Sequence, residues 1–212
     1  MKNKFNTDGF TVIEGVIPKD IAYFCERYIR LKQRVLQTFI DKNYVSPFQF
    51  EHGWIQDPDV ENSFGLYGDV AMEVLLVELL PAMQEIVGAK LVPTYAYARM
   101  YHPNSILYKH KDRDSCEIST TLNLGGDPWP IYINPNPQEG APPQKGPSTS
   151  KGIKIDLKPG DMLVYKGKIL EHWREIFKGK SCFQVFLHYN RKDAKENNLF
   201  DGRPHLGLPD DI

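Results

Sequence analysis

The chain has 212 residues, 41% of them hydrophobic, and a formal net charge of −1. That length suits one domain with a substantial core, and the balanced charge offers no global field for nucleic acid or an anionic membrane. No apolar run is long enough for a bilayer span, and the polar start Met1-Lys-Asn-Lys-Phe-Asn-Thr-Asp8 does not read as a signal peptide.

The three cysteines, Cys25, Cys116 and Cys182, make no paired framework and read as thiols, so a cytoplasmic, reducing setting is the expectation. Residues 1–90 read as mostly helical support. Pro18 suits a first helical position, and Ile21, Phe24, Cys25, Tyr28, Leu31, Val35 and Phe39 recur at steps of three and four. One amphipathic helix over Pro18–Asp41 is predicted. A second runs from Asp69, its N-cap, to Val87, with Gly88 as the stop and Pro81 dividing or kinking it. Between the two, residues 47–67 look irregular and rich in aromatics.

From residue 91 the period changes from helical to alternating. Pro93–Tyr101 places Tyr95, Tyr97, Arg99 and Tyr101 on one face of a strand, with Ala96, Ala98 and Met100 on the other. Three tyrosines and an arginine suit a polar pocket wall better than a dry core. A turn at His102-Pro-Asn-Ser105 follows. Strands are then predicted at Leu107–Asp112, Cys116–Leu124, Trp129–Ile133, Ile153–Leu157, Met162–Tyr165 and Cys182–Tyr189, with His172 lying just beyond the sixth of the seven. The Pro-rich tract Pro135–Ser150 can form neither helix nor central strand. It reads as a solvated hairpin tip or, in the sharper reading, as a lid over a site. The tail 191–212 is charged and then rich in Gly and Pro; packing over the sheets or lining the mouth of a site are its two readings.

The chemistry concentrates in His110-Lys-Asp112 and the distant His172. Two imidazoles and one carboxylate are the donor set of a facial triad, which holds Fe(II) on one side and leaves the other open. In a strand, residues i and i+2 point the same way, so His110 and Asp112 can grip one ion while Lys111 faces away. His172 must then be delivered by another strand.

On the tract Tyr95–Asp112, the turn Pro159-Gly-Asp161 and the run from His172 to Tyr189, the chain resembles the 2-oxoglutarate and Fe(II)-dependent dioxygenases. Within them it is most similar to the prolyl 4-hydroxylase-like branch. The tracts Asp112–Ser119, Glu171–Glu175 and Val185–Tyr189 look like a subset of microbial and phage members, and Asp8–Glu14 looks like the family's usual start. The resemblance implies an α+β fold: a double-stranded β-helix (jelly-roll, cupin-like) over 91–190, with N-terminal helices packed on the outer sheet face and a single domain over 1–212. It implies Fe(II) on His110, Asp112 and His172, with 2-oxoglutarate and O₂ as cosubstrates and succinate and CO₂ as coproducts. It also implies hydroxylation of a C–H bond in a peptidyl residue (proline-like), a free amino acid or another small molecule.

In that family the far carboxylate of 2-oxoglutarate is held by an Arg or Lys near the start of the strand after the distal His. Lys180 is the first choice by position, eight residues after His172, and shares a face with Cys182, Gln184, Phe186 and His188; Lys178 stands close by. Arg174 is the rival because its guanidinium grips carboxylates bidentately, and Arg99 is a third option. Tyr101 occupies the position of a tyrosine that donates to the cosubstrate in relatives. Glu171 and Trp173 flank a ligand and are candidates for orienting its ring. Other classes stay open: Zn(II) or Ni(II) in the same triad, a cupin-type isomerase or binding module, and nucleic-acid demethylation along Arg99, Lys109, Lys111 and Arg113.

Overall fold

The computed structural model describes residues 4–140, 147–195 and 197–209. Short helix α1 (Lys4–Asp8) leads into strand β1 (Phe10–Ile13) and the long helix α2 (Lys19–Asp41). Strand β2 (Ser63–Tyr67) is followed by α3 (Val70–Glu78) and α4 (Leu80–Val87). The strands β3 (Leu91–Tyr101), β4 (Leu107–His110), β5 (Ile118–Gly126), β6 (Ile131–Ile133), β7 (Ile153–Ile155), β8 (Met162–Tyr165), β9 (His172–Arg174) and β10 (Cys182–Arg191) complete the framework.

Helix boundaries follow local chemistry. Asp69 caps α3 by accepting the Ala71 N–H at 3.0 Å. Pro81 sits in the first turn of α4, where its missing N–H costs no helical bond, and splits the predicted helix in two. Gly88 ends α4 in the left-handed region at φ 73°.

All strand pairs are antiparallel. They form a six-stranded sheet in the order β1-β8-β5-β10-β3-β2 and a four-stranded sheet in the order β4-β9-β6-β7. Alternation gives the larger sheet two unlike faces. One buries Ala96, Ala98, Met100, Ile118, Leu122, Val185 and Leu187 against Ala22, Cys25 and Ile29 of α2, Met72 and Leu76 of α3, and Met83 of α4. The helices therefore cover its outer face. The other face turns inward, where Leu163 and Tyr165 of β8 pack with Ile131 and Ile133 of β6 and Ile155 of β7.

Three expectations need correction. The stripe Ile21, Phe24, Leu31, Val35 on α2 is exposed; the buried face is Ala22, Cys25, Ile29 and Leu36, one residue round the helix. Spacing alone fits both stripes; of the expected one, Cys25 is buried and Tyr28 packs against the core. β1 and β2 were not legible as strands; each is short and lies at a sheet edge. Strand β4 ends at His110 rather than running to Asp112.

The tail folds back on the body. Arg203 is buried and donates to Glu73 Oε1 at 2.6 Å, while Asp201 pairs with Arg113 and accepts from the Tyr67 hydroxyl at 2.6 Å. No helix among the described residues is long and apolar enough to cross a membrane, and all three cysteines are free and buried.

Candidate metal centre and cosubstrate pocket

Strands β4 and β9 bring the triad together. His110 stands opposite His172 in the antiparallel register, their ring centroids 4.2 Å apart. Between Leu107 and His110 the register slips, so that β4 carries a bulge. A bulge of this kind re-aims side chains, and here both Leu107 and His110 line the cavity. Asp112 then leaves the strand. Its N–H donates to the Gly167 carbonyl at 3.0 Å, and its Oδ1 lies 3.5 Å from His110 Nε2 and 3.3 Å from His172 Nε2. One ligand atom from each of the three residues falls within 4.8 Å of the others.

Both rings are set for metal binding by their far nitrogens. His110 Nδ1 faces the Tyr108 carbonyl at 2.8 Å and His172 Nδ1 faces that of Leu170 at 3.0 Å. A carbonyl only accepts, so each Nδ1 carries a proton, and each Nε2 is the nitrogen left to face Asp112 and a metal. Burial pushes the Asp112 carboxyl up, but the histidines outweigh it and hold its pKa well below the usual range. Ser119 Oγ–H donates to the free oxygen, Oδ2, at 2.6 Å. Two imidazoles and one carboxylate, with no lysine or arginine neutralising it, make a good fit for a divalent ion. Cys116 also lines the cavity, but burial and the nearby Asp112 charge push its thiol pKa up, so it remains a protonated thiol.

The cavity has a volume of about 410 Å³. The β3 face supplies Tyr95, Tyr97 and Arg99 to its wall; Tyr165, Phe186 and His188 complete much of the rest. Arg99 is held by Asp57, whose Oδ2 lies 2.7 Å from its Nε and 2.5 Å from the Tyr97 hydroxyl.

Arg174 shares the inner face of β9 with His172, two residues away, and is only 1% exposed. Its guanidinium donates to the Trp129 carbonyl and, at 3.2 Å, to Thr121 Oγ1, which in turn donates to Gln184 Oε1 at 3.1 Å. Among the described residues no carboxylate pairs with it, and its Nε and the Tyr101 hydroxyl are both buried without a partner. An unpaired buried cation beside orphaned polar atoms is expensive and suits an anion seated there.

Lys180 does not reach this region. It is exposed in the turn before β10, where its backbone N–H bonds to Asp127. The first residue of β10, Cys182, is buried with its thiol pKa pushed up, so it offers no cation there. Arg99 faces the cavity but is neutralised by Asp57. Of the proposed nucleic-acid groove, Arg113 is paired with Asp201, and Lys109 lies over the Trp173 ring with its ammonium on the Ser148 and Ser150 carbonyls.

The flanks of the Pro-rich tract are tied down. Lys111 donates to the Pro137 carbonyl at 3.1 Å, and the buried Glu171 accepts from the Ser148 N–H at 3.0 Å and from its hydroxyl. The tip of the expected lid, residues 141–146, lies outside the described residues.

Ser119, Thr121 and Gly167 carry roles that motif spacing does not announce. For the first two the signal was available: Ile118-Ser-Thr-Thr-Leu122 alternates, and its inward positions are the small hydroxyls Ser119 and Thr121. Gly167 has no such signal.

No protein-family model matches the chain, and a search of curated proteins gives no match. Solved structures do match. A prolyl-4-hydroxylase from Pseudomonas putida is 14% identical, with a TM-score of 0.55 over 89% of this chain and 96% of that one. SnoN, a non-heme α-ketoglutarate-dependent epimerase of nogalamycin biosynthesis, is 12% identical, with a TM-score of 0.66 over 99% and 91%. HygX from Streptomyces hygroscopicus, crystallised with nickel, 2-oxoglutarate and hygromycin B, is 14% identical, with a TM-score of 0.59 over 98% and 94%. At these identities the likeness is one of fold: the chain folds as these 2-oxoglutarate-dependent enzymes do.

Proposed function

We propose that the chain is a single-domain Fe(II)- and 2-oxoglutarate-dependent oxygenase built on a double-stranded β-helix, the jelly-roll of its structural neighbours. One observation carries the reading: two histidine Nε2 atoms and the Asp112 carboxylate converge at a cavity, with both Nδ1 atoms held by backbone carbonyls. His110, Asp112 and His172 would hold the metal. When bound, Fe(II) would supply the chemistry that lets O₂, the oxidant, decarboxylate 2-oxoglutarate to succinate and CO₂ and hydroxylate a C–H bond, one oxygen atom going to succinate and one to the hydroxylated product.

The remaining residues bind and orient. Asp112 offsets part of the ion's charge, and Ser119 holds its second oxygen away from the donor side. Arg174 would clamp the far carboxylate of 2-oxoglutarate, with the Tyr101 hydroxyl as second donor. Thr121 and Gln184 support the guanidinium from behind. Leu107, Ile131 and Phe186 give the cavity apolar walls that exclude water. Lys180, exposed, takes no part in this assignment.

The substrate side favours a small molecule. The cavity is modest in size, and HygX, of the same fold, was crystallised with hygromycin B. Nucleic acid is disfavoured because Arg99 and Arg113 are already paired with carboxylates. The test is succinate release on adding Fe(II) and 2-oxoglutarate, with and without panels of amino acids, peptides, polyols and nucleotides. Release that requires both Fe(II) and an intact Asp112 is expected; none under any condition would leave a metal-binding module without oxygenase activity.

A further inference from the structure

His188 is a buried histidine on the cavity wall that neither the metal nor the cosubstrate assignment uses. It is 6% exposed, it lines the cavity, and the Tyr95 ring lies over it with centroids 4.5 Å apart. β10 places it opposite Ser119, and β3 bulges there: Leu187 pairs with Ala96 and Tyr189 with Pro93, leaving Thr94 and Tyr95 against His188. Bulges at such places re-aim side chains.

The hydrogen bonds around Ser119 determine which ring nitrogen carries the proton. Ser119 Oγ lies 3.1 Å from His188 Nδ1, 2.6 Å from Asp112 Oδ2 and 3.2 Å from the Cys116 carbonyl. Its single proton goes to the carboxylate or the carbonyl, neither of which can donate. Toward His188 it therefore accepts, and Nδ1 must be the N–H. Burial drives the His188 pKa down to about 4, so the ring is neutral at pH 7. Nε2 is left with a lone pair, has no hydrogen-bond partner among the described residues, and is not among the sealed unpartnered atoms, so it opens onto the cavity.

We infer that His188 Nε2 is a specificity-determining hydrogen-bond acceptor that selects a substrate carrying a hydroxyl or N–H donor. The inference rests on the oxygenase reading for what enters the cavity, but not for the direction of the hydrogen bond. A lone pair repels carboxylate oxygens, so 2-oxoglutarate is not its partner. A peptidyl proline has neither an N–H nor a hydroxyl and does not meet the demand. A free amino acid, an amino alcohol or a polyol does.

Two measurements test this. Long-range ¹H–¹⁵N spectra of histidine-labelled protein loaded with Zn(II) and 2-oxoglutarate read the tautomer, with His188→Asn assigning the signals. A neutral ring protonated at Nδ1 is expected at pH 7; a ring protonated at Nε2, or a cation, overturns the inference. The second arm follows Fe(II)-dependent succinate release over matched pairs of amino acids, amino alcohols and polyols with their N- or O-methylated counterparts. The free donor should be preferred by about tenfold in kcat/KM, the worth of one neutral hydrogen bond. His188→Phe, or His188→Leu should the larger ring disturb packing, should bring the preference close to one. Equal rates within every pair, stimulation by none of the compounds, or a preference surviving in these variants would overturn it. Absence of succinate even from uncoupled turnover would instead sink the oxygenase reading, and the tautomer alone would then decide the role of His188.

Discussion

Gly167 holds Asp112 in two ways: its carbonyl accepts the Asp112 N–H at 3.0 Å, and its bare Cα makes room for the carboxylate. A Cβ at this position would overlap Asp112 Oδ2 and Ser119 Oγ and come within 2.6 Å of the Cys116 carbonyl oxygen. The backbone there is ordinary, so the demand for glycine is one of space. Gly167→Ala should therefore displace the Asp112 carboxylate and weaken Fe(II) by about 10- to 100-fold, the usual effect of disturbing a ligand's support. Anaerobic Fe(II) titration beside His110→Ala and Asp112→Ala, which should lose the site altogether, measures this. Parental affinity in Gly167→Ala would mean that the carboxylate is not where ligation occurs.

The cosubstrate clamp separates two cations. Arg174→Met should raise the 2-oxoglutarate KM by at least about thirtyfold, since an ion pair in a dry pocket contributes roughly 2–5 kcal/mol. Lys180→Ala should leave that constant where it is, because the side chain is exposed. Binding of 2-oxoglutarate to the Zn(II)-loaded variants gives the same comparison without turnover. The reverse pattern would return the role to Lys180.

Alternation made the β3 wall and the succession of strands along the chain legible, because a period of two sorts side chains between faces before any contact is known. The triad was legible from its donor set, although Asp112 lies beyond the strand expected to carry it. Caps and breakers did the same for Asp69, Pro81 and Gly88. What stayed hidden depends on placement in three dimensions. The β4 bulge changes which residues of Leu107–His110 face inward, and no local signal marks it. Position favours Lys180 over Arg174, and burial, which spacing does not reveal, favours Arg174. On α2 two apolar stripes overlap, and only packing against the sheet separates them. Gly167 is invisible because its reason is a neighbour 55 residues earlier in the chain.

His188 predicts a pH dependence of stability. Its folded pKa of about 4 lies below the ordinary imidazole value of 6.5, so between those values the unfolded chain binds a proton that the folded chain does not. Stability therefore rises with pH across this window and is lost as pH falls through it, by up to roughly 3 kcal/mol. Urea unfolding of metal-free protein between pH 7.5 and 4 should show this slope, and His188→Asn should flatten it. The Asp112 contribution has the same sign but falls at lower pH, since its folded pKa is well below the usual carboxylate value. A slope unchanged in His188→Asn would show that other groups cause it.

Glu171 is fully buried next to a proposed ligand, yet it faces away from the cavity and binds the Ser148 N–H and hydroxyl. Lys109, next to His110, donates to the Ser148 and Ser150 carbonyls at 2.8 and 2.6 Å. Segment 148–150 is thus fastened to both ligand-bearing strands from behind, which braces β4 against β9. Glu171→Gln keeps the shape but turns one acceptor into a donor facing donors, a change costing about 1–3 kcal/mol. It should lower the Tm of the metal-free protein and, by loosening the His110–His172 pair, weaken Fe(II) roughly tenfold. A variant that melts earlier but binds Fe(II) like the parent would confine Glu171 to holding the loop. One unchanged in both would mean that segment 148–150 does not brace the ligand strands at all.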